Sequence, residues 1–178
     1  SIHLGNPKGR DIDISCFGLD DQGKLSDDSY FIFFNQPTSP CGALSMSDGS
    51  GADKVFEADL SRLPTTVRRL VFAATIDGAG TMADLAEGSL TLLAGNDQVM
   101  VFPFAGKLFA SEKAVMIGEI YHKTVWRVAA VGQGFNGGLQ ALLEHFGGEA
   151  SDAPAPAPAP APAKKVNLGK VTLKKRGE

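Results

Sequence analysis

The 178-residue chain has only two cysteines, three histidines and one tryptophan. Cys16 and Cys41 stand in unrelated contexts without CxxC spacing, which argues against a disulfide framework and against a zinc site. The histidines show no HExxH spacing, no GxSxG motif is present, and neither cysteine has a basic neighbour in sequence. Because the usual machinery of nucleophilic or zinc-dependent catalysis is missing, we expect a protein that is not an enzyme.

Long hydrophobic runs are also missing. No apolar run approaches the roughly 20 residues that span a bilayer, and the N-terminal sequence SIHLGNPKGR lacks the apolar centre of a signal peptide. We therefore expect a cytoplasmic protein without a transmembrane segment.

Basic residues are scarce over most of the chain. Residues 1–153 have 11 basic and 19 acidic side chains, a net charge of −8, whereas six basic side chains crowd residues 164–178. An acidic body argues against a nucleic-acid-binding surface on the main domain. It favours cations or basic proteins as partners.

What the sequence does contain is a series of short strand-like runs between turn residues. This spacing predicts a mainly β protein, a two-sheet antiparallel β-sandwich, from the runs DIDISCFGL, SYFIFFNQ, RRLVFAATI, GSLTLLA, QVMVFPF, KAVMIGEIY and VWRVAAVG. One segment has a helical period and predicts a short C-terminal helix of about ten residues ending at Gly147, with Leu139, Leu142, Leu143 and Phe146 on one face. The segment LSRLP at 60–64 predicts a further helical turn capped by Ser61.

The C-terminal part has a different composition. Residues 153–163 alternate Pro and Ala, which predicts an extended polyproline-like spacer. We therefore divide the chain into a sandwich domain at 1–150, a linker at 151–163 and a strand-like tail at 164–178. The tail alternates apolar and polar residues and ends in KRGE, like the first half of a hairpin turn, while the initial SIHLG is like the second half. We expect the tail to complete the sandwich of this domain or of a neighbouring one.

Three segments together resemble the TerD family of tellurium-resistance and stress proteins: DIDISCFGLDDQGK, FFNQPTSPCG and GEIYHKTVWRVAAVGQGFNGGLQALLEHFG. The resemblance covers about residues 9–148, and the tail VNLGKVTLKKRG resembles the opening strand of a TerD domain. It implies a β-sandwich whose acidic loops bind calcium, in the bacterial cytoplasm, with other Ter-type proteins and an inner-membrane protein as partners. It also implies tandem domains and a role in tellurite resistance as a sensor or scaffold.

Two carboxylates open the first long strand. Asp11 and Asp13 are one strand period apart and so share a face, where they repel each other unless a cation lies between them. Calcium needs six to eight oxygen ligands, which several acidic segments must supply together. The expected ligands are Asp11, Asp13, Asn35, Asp48 and Asp77, whose oxygen chemistry suits Ca²⁺ or Mg²⁺.

One departure from the family pattern leaves alternatives open. Typical members have a long loop of the form GDNxTGxGDGDDE, whereas this chain has the shorter SMSDGSGADKVFEADL, which keeps Asp48, Gly49 and Asp53. In one alternative, Asp11 solvates a strand end, Asp13 pairs with Arg10 or Lys8, and the protein is a metal-free interaction domain. In another, a divalent ion at the acidic end supports hydrolysis.

Overall fold

The computed structural model describes residues 1–5, 9–50 and 53–147, and the linker and tail lie outside this part of the chain. These residues form ten strands, one α-helix and three short 3-10 turns at Asp28–Tyr30, Met82–Asp84 and Gly106–Leu108. The strands are β1 Ile2–Leu4, β2 Asp11–Leu19, β3 Phe31–Ile32, β4 Leu44–Asp48, β5 Lys54–Ala58, β6 Arg69–Asp77, β7 Glu87–Ala94, β8 Asp97–Ala105, β9 Ala114–His122 and β10 Trp126–Phe135. The helix is α1, Gly138–His145.

The strands form two five-stranded antiparallel sheets. The first sheet has the order β4-β5-β1-β7-β8 and the second has the order β10-β9-β6-β2-β3. At the centre of the second sheet, β2 and β6 pair over nine residues, from Asp11 opposite Asp77 to Leu19 opposite Arg69. This long pairing holds both strand ends in a fixed register.

Alternation along the central strands creates two apolar cores. Ile14 and Cys16 of β2 belong to the core between the sheets, where Cys16 packs as a small apolar side chain. Phe17 and Leu19 belong to a second core, where Leu142 and Phe146 at the C-terminal end of the chain's described part cover them. Burial stabilises each of the larger side chains by roughly 1.5–3 kcal/mol.

The predicted sandwich is confirmed. Strands occupy the runs at β2, β6, β7, β8, β9 and β10, and α1 occupies the segment with the helical period. The helix has eight residues, and Gly147 follows it with φ = 72°, a left-handed conformation that suits glycine at a helix C-terminus. Within the described ranges, no helix has the length and apolarity needed to cross a membrane.

Three local expectations were wrong. The run SYFIFFNQ forms only the two-residue strand β3, because a turn capped by Asp27 precedes it and Phe33 bridges back to Gln36 immediately after it. The segment 60–64 is a turn without a helix, and the Asp59 carboxylate, rather than Ser61, accepts its hydrogen bonds. The shortened acidic segment contains two strands, β4 and β5, which pair with each other.

Candidate cation site

Three carboxylates lie at one corner of the second sheet. Asp11 stands directly opposite Asp77, and Asp13 stands opposite Thr75. Asp11 and Asp13 alternate with Ile12 and Ile14, which pack in the inter-sheet core, so both carboxylates lie on the outward face. Opposed residues in an antiparallel pair have Cβ atoms about 4.5–5.5 Å apart. The register therefore brings together Asp11, Asp13 and Asp77, three of the five predicted ligands.

Asp13 is the electrostatically perturbed member of this corner. Its side chain is half-buried, and burial raises its pKa above the ordinary value. The neighbouring carboxylates of Asp11 and Asp77 raise that pKa further, whereas the Lys54 ammonium lowers it. The corner thus concentrates negative charge that the folded protein neutralises only in part.

The two acids retained from the shortened segment have basic partners. Asp48 stands opposite Lys54 in the β4–β5 pair and forms an ion pair with its ammonium. Asp53 lies 2.5 Å from Nδ1 of His3. Asp48, predicted as a ligand, is therefore paired with a lysine of the first sheet, and the same Lys54 ammonium lowers the pKa of Asp13 in the corner.

Asn35, the fourth predicted ligand, lies just beyond β3. It is exposed in the tight turn between the bridging residues Phe33 and Gln36. The register of β2 with β3 consists of Cys16 opposite Ile32 and Phe17 opposite Phe31, so Asn35 lies outside the pairing that joins the three aspartates. The role of Asn35 as a ligand stays a prediction.

Neighbours that the sequence did not single out complete the description of the corner. Ser15, two residues beyond Asp13, is 2% exposed, and within the described residues its hydroxyl has no hydrogen-bond partner. Lys113 donates from Nζ to the carbonyl oxygen of Gly78 at 2.6 Å, directly after Asp77. The period-2 position of Ser15 was the available sequence signal, whereas Lys54 begins β5 and Lys113 directly precedes β9, and only the fold reveals where these two segments lie.

The donor chemistry fits a hard cation, since the corner offers carboxylate and hydroxyl oxygens. Taken as they stand, the described residues contain no group of three or more His, Cys, Asp or Glu side chains that could hold a metal ion. The three aspartates therefore repel one another electrostatically but do not form a complete coordination shell. A bound ion would require side-chain rotation together with further oxygens from the main chain or from water.

Comparison with known proteins identifies the family. The sequence profile of the TerD domain matches residues 3–146. The chain belongs to the TerD family. It is 37% identical over 151 residues to the tellurium resistance protein TerA of Alcaligenes sp, which covers 81% of this chain and 43% of that protein. It is also 32% identical over 153 residues to the tellurium resistance protein TerD of Serratia marcescens, covering 79% and 80% of the two chains.

Other relatives link this TerD-family chain to stress proteins and to a known fold. It is 29% identical over 150 residues to general stress protein 16U of Bacillus subtilis (strain 168), with 77% of each chain covered. The crystal structure of a homologue of telluride resistance protein (TerD) from Streptomyces coelicolor A3(2) superposes with a TM-score of 0.61 at 19% identity. That match covers 80% of this chain and 92% of the other, and it shows that the two share a fold. The chain spans less than half of the Alcaligenes TerA protein.

Proposed function

We propose that this TerD-family chain is a calcium-binding stress-response module that contributes to tellurite resistance as a sensor or scaffold, without catalysis of its own. The observation that supports the proposal is the corner where Asp11, Asp13 and Asp77 meet, with Asp13 half-buried and its pKa raised. The names of its relatives, which are tellurium-resistance and general stress proteins, support the biological setting.

Each residue of the corner has a distinct part in this proposal. Asp11 and Asp77 present carboxylates from opposed positions of β2 and β6, and Asp13 adds a third carboxylate from the same face. A bound calcium ion supplies two positive charges that offset most of the negative charge of these groups. Because the ion binds the folded chain and not the unfolded one, it stabilises the fold by mass action.

The sensor step follows from the change in surface charge. Without the ion the corner is strongly acidic, whereas the two positive charges of Ca²⁺ offset most of the charge of the three carboxylates. We infer that this change takes place in the cytoplasm. There it controls the docking of other Ter-type proteins, including one at the inner membrane. A bistable loop is not required, because the charge change alone alters which partner surface is complementary.

A second candidate, a metal-free interaction domain, is favoured by one observation. Asp48 and Asp53, the acids retained in the shortened segment, are already paired with Lys54 and His3. The Lys54 ammonium and the His3 imidazole therefore occupy the two carboxylates that a calcium-binding loop would use as ligands. In this alternative the fold organises partners without cation control.

Calorimetric titration of metal-stripped protein with Ca²⁺, and with Mg²⁺ for comparison, separates the two. We expect saturable binding of calcium that the double variant Asp11→Asn and Asp13→Asn abolishes. The matched control is Glu57→Gln with Asp97→Asn, which removes two carboxylates from elsewhere on the described surface and should leave binding unchanged. An absence of binding heat at millimolar calcium would support the metal-free alternative.

A further inference from the structure

Arginines cluster at the end of the second sheet that lies away from the acidic corner. Strand β6 runs from Arg69 to Asp77, so its two ends are separated by about 27 Å. Arg69 stands opposite Tyr121 of β9, and Tyr121 in turn stands opposite Arg127 of β10. We call these three residues, Arg69, Tyr121 and Arg127, the arginine row.

The arginine row lies on the outward face of the sheet. The adjacent residues on the three strands, Leu70, Ile120 and Val128, pack in the inter-sheet core. Because side chains alternate across a strand, the three side chains of the row share the opposite face. Opposed residues have Cβ atoms about 4.5–5.5 Å apart, so two guanidinium groups flank one phenol ring. The guanidinium carbon of Arg69 lies 5.6 Å from the centre of the Tyr121 ring.

The positive charge of the row is offset on one side only. Arg69 donates from Nη1 to the carboxylate of Glu119 at 2.7 Å. Arg127, by contrast, forms no ion pair within the described ranges, and its Nε is buried without a hydrogen-bond partner there. A buried donor without an acceptor is costly, and a bound ion or water is the usual explanation for one in a native structure. Arg127 therefore indicates a binding partner at this end of the sheet.

Two further cations add to the positive charge of this end. Arg68 donates from Nη1 to Nδ1 of His122 at 3.0 Å, and an imidazole acceptor leaves the charge of the guanidinium without a counter-ion. Lys123 is exposed in the turn between β9 and β10. These cations stand out because residues 1–153 have a net charge of −8. The end of the sheet is thus locally positive on an acidic body.

The acidic residues that follow β2 do not pair with these arginines. Asp20 directly follows Leu19, the residue opposite Arg69. Its carboxylate accepts three hydrogen bonds from residues of its own turn. Asp21 is exposed in the same turn. In the part of the chain that the structure describes, Glu119 is the acidic side chain that forms an ion pair with the arginines of this end.

We propose that the arginine row binds a small oxyanion with more than one negative charge, of the inorganic phosphate type. Guanidinium groups suit such ions because their N–H donors form a planar fork that binds two oxygens at once. Arg127 supplies one fork and Arg69 the other, and the Tyr121 ring holds the Arg69 guanidinium over its face. Arg68 and Lys123 add positive charge around the ion.

The size of the row favours a small ion over an extended acidic surface. Neighbouring strands lie about 4.7–4.9 Å apart, so the row is roughly 10 Å wide from β6 to β10. Phosphate and tellurite share the required chemistry, since both present several oxygens around a compact anionic centre. The experiment therefore includes both ions.

Calorimetric titration of the full chain with inorganic phosphate tests the proposal, at constant ionic strength and without calcium. The test variant is Arg127→Gln. The matched control is Arg62→Gln, which removes the same charge from an exposed arginine that donates to the carbonyl oxygen of Cys41. We expect saturable binding that is at least tenfold weaker in Arg127→Gln and unchanged in Arg62→Gln. Arg127→Lys, which keeps the charge but not the planar fork, should recover only part of the affinity.

A parallel titration with tellurite shows which oxyanion the row prefers, and saturable binding of either ion that Arg127→Gln weakens supports the proposal. Circular dichroism of each variant confirms that it is folded. Bound ion should also raise the unfolding temperature of the parent chain but not that of Arg127→Gln.

Three results would overturn the proposal. The first is an absence of saturable binding for both ions at tens of millimolar. The second is equal weakening in Arg127→Gln and Arg62→Gln, which would show a response to net charge alone. The third is self-association that Arg127→Gln abolishes and phosphate leaves unchanged, which would assign the row to an acidic surface of a second copy. Because calcium is absent throughout, none of these results bears on calcium binding at the acidic corner.

Discussion

Asp11 and Asp77 face each other across the β2–β6 pairing. Like charges at opposed positions of an antiparallel pair are destabilising, by an amount comparable to the roughly 0.2–1 kcal/mol that a favourable pair contributes. Asp13 adds a third negative charge on the same face, and its pKa is raised by burial and by both neighbours. Repulsion among these carboxylates therefore lowers the stability of the fold at this corner, and perturbed pKa values of this kind cluster at functional sites.

Replacing Asp13 by Asn should stabilise the metal-free protein at neutral pH. Because its pKa is raised in the folded state, the folded protein binds this proton more tightly than the unfolded chain, whose value is near 3.8. The penalty is absent below that value and builds as pH rises through the folded-state pKa. Denaturation with urea between pH 3 and pH 7 should show a gain for the variant that grows with pH.

Asp97→Asn is the control for that series, since Asp97 is exposed at the start of β8. It should leave the pH profile as in the parent. With saturating calcium the order of parent and Asp13→Asn variant should reverse, because the parent gains the stability of ion binding and the variant does not. A gain for Asp13→Asn that is independent of pH would contradict the electrostatic explanation.

Ser15→Ala should also stabilise the protein. The Ser15 hydroxyl is buried, and no described residue forms a hydrogen bond with it. A buried group without a partner costs about 1–3 kcal/mol, so removing the oxygen should raise the free energy of unfolding by up to this amount. Chemical denaturation measures the change, and Ser45→Ala, at a partly exposed position in β4, is the control. A loss of stability in Ser15→Ala would indicate a hydrogen bond to water or to residues outside the described ranges.

Leu142→Ala should destabilise the second core by about 2–5 kcal/mol. Leu142 is fully buried between α1 and the outward face of β2, β6 and β9. Leu139→Ala on the same helix is the control, because Leu139 is 37% exposed and should cost much less. Thermal unfolding followed by circular dichroism compares the two variants. Equally small losses of stability would show that α1 contributes little through the packing of Leu142.

Gly106→Ala should cost about 3 kcal/mol or more, because the added methyl group meets main-chain atoms that cannot move away alone. Its Cβ would lie 2.1 Å from the Leu85 carbonyl oxygen and 2.8 Å from that of Met82. The control is Gly95→Ala, where φ is 63° but no atom lies within 4 Å, so only the left-handed backbone costs about 1–2 kcal/mol. Comparable unfolding free energies for the two variants would contradict the predicted clash.

The sequence predicted the long strands because short runs rich in apolar residues recur between turn residues, as in β2 and β6, which are buried on both faces over most of their length. It did not predict β4 and β5, because Asp48, Gly49 and Asp53 suggest a loop when the pairing partner is unknown. A strand in such a segment is stabilised by its neighbours in the sheet rather than by local preference. Likewise β3 is short because Asp27 and Ser29 form a local turn that competes with strand pairing.

Only part of the candidate site was predicted from the sequence, again because strand pairing cannot be read from local residues. Asp11 and Asp13 share a face by period alone, and their register with Asp77 fits the same corner. Asp48 and Asn35 depended on loops whose course the residues do not specify. Lys54 reaches Asp48 because β4 pairs with β5. No pattern in the sequence indicates that a lysine ammonium would pair with this carboxylate.

The position of the acidic corner also has a kinetic consequence. Asp11 and Asp77 are 66 positions apart in the chain, so β2 pairs with β6 only after a long loop has closed. Hairpins such as β7–β8 and β9–β10 are local and form on a faster timescale, whereas distant pairings slow the folding of β-sandwiches. During synthesis the three aspartates are dispersed until β6 has emerged from the ribosome, and a cation that bound them together would recognise only the chain that has completed this late step.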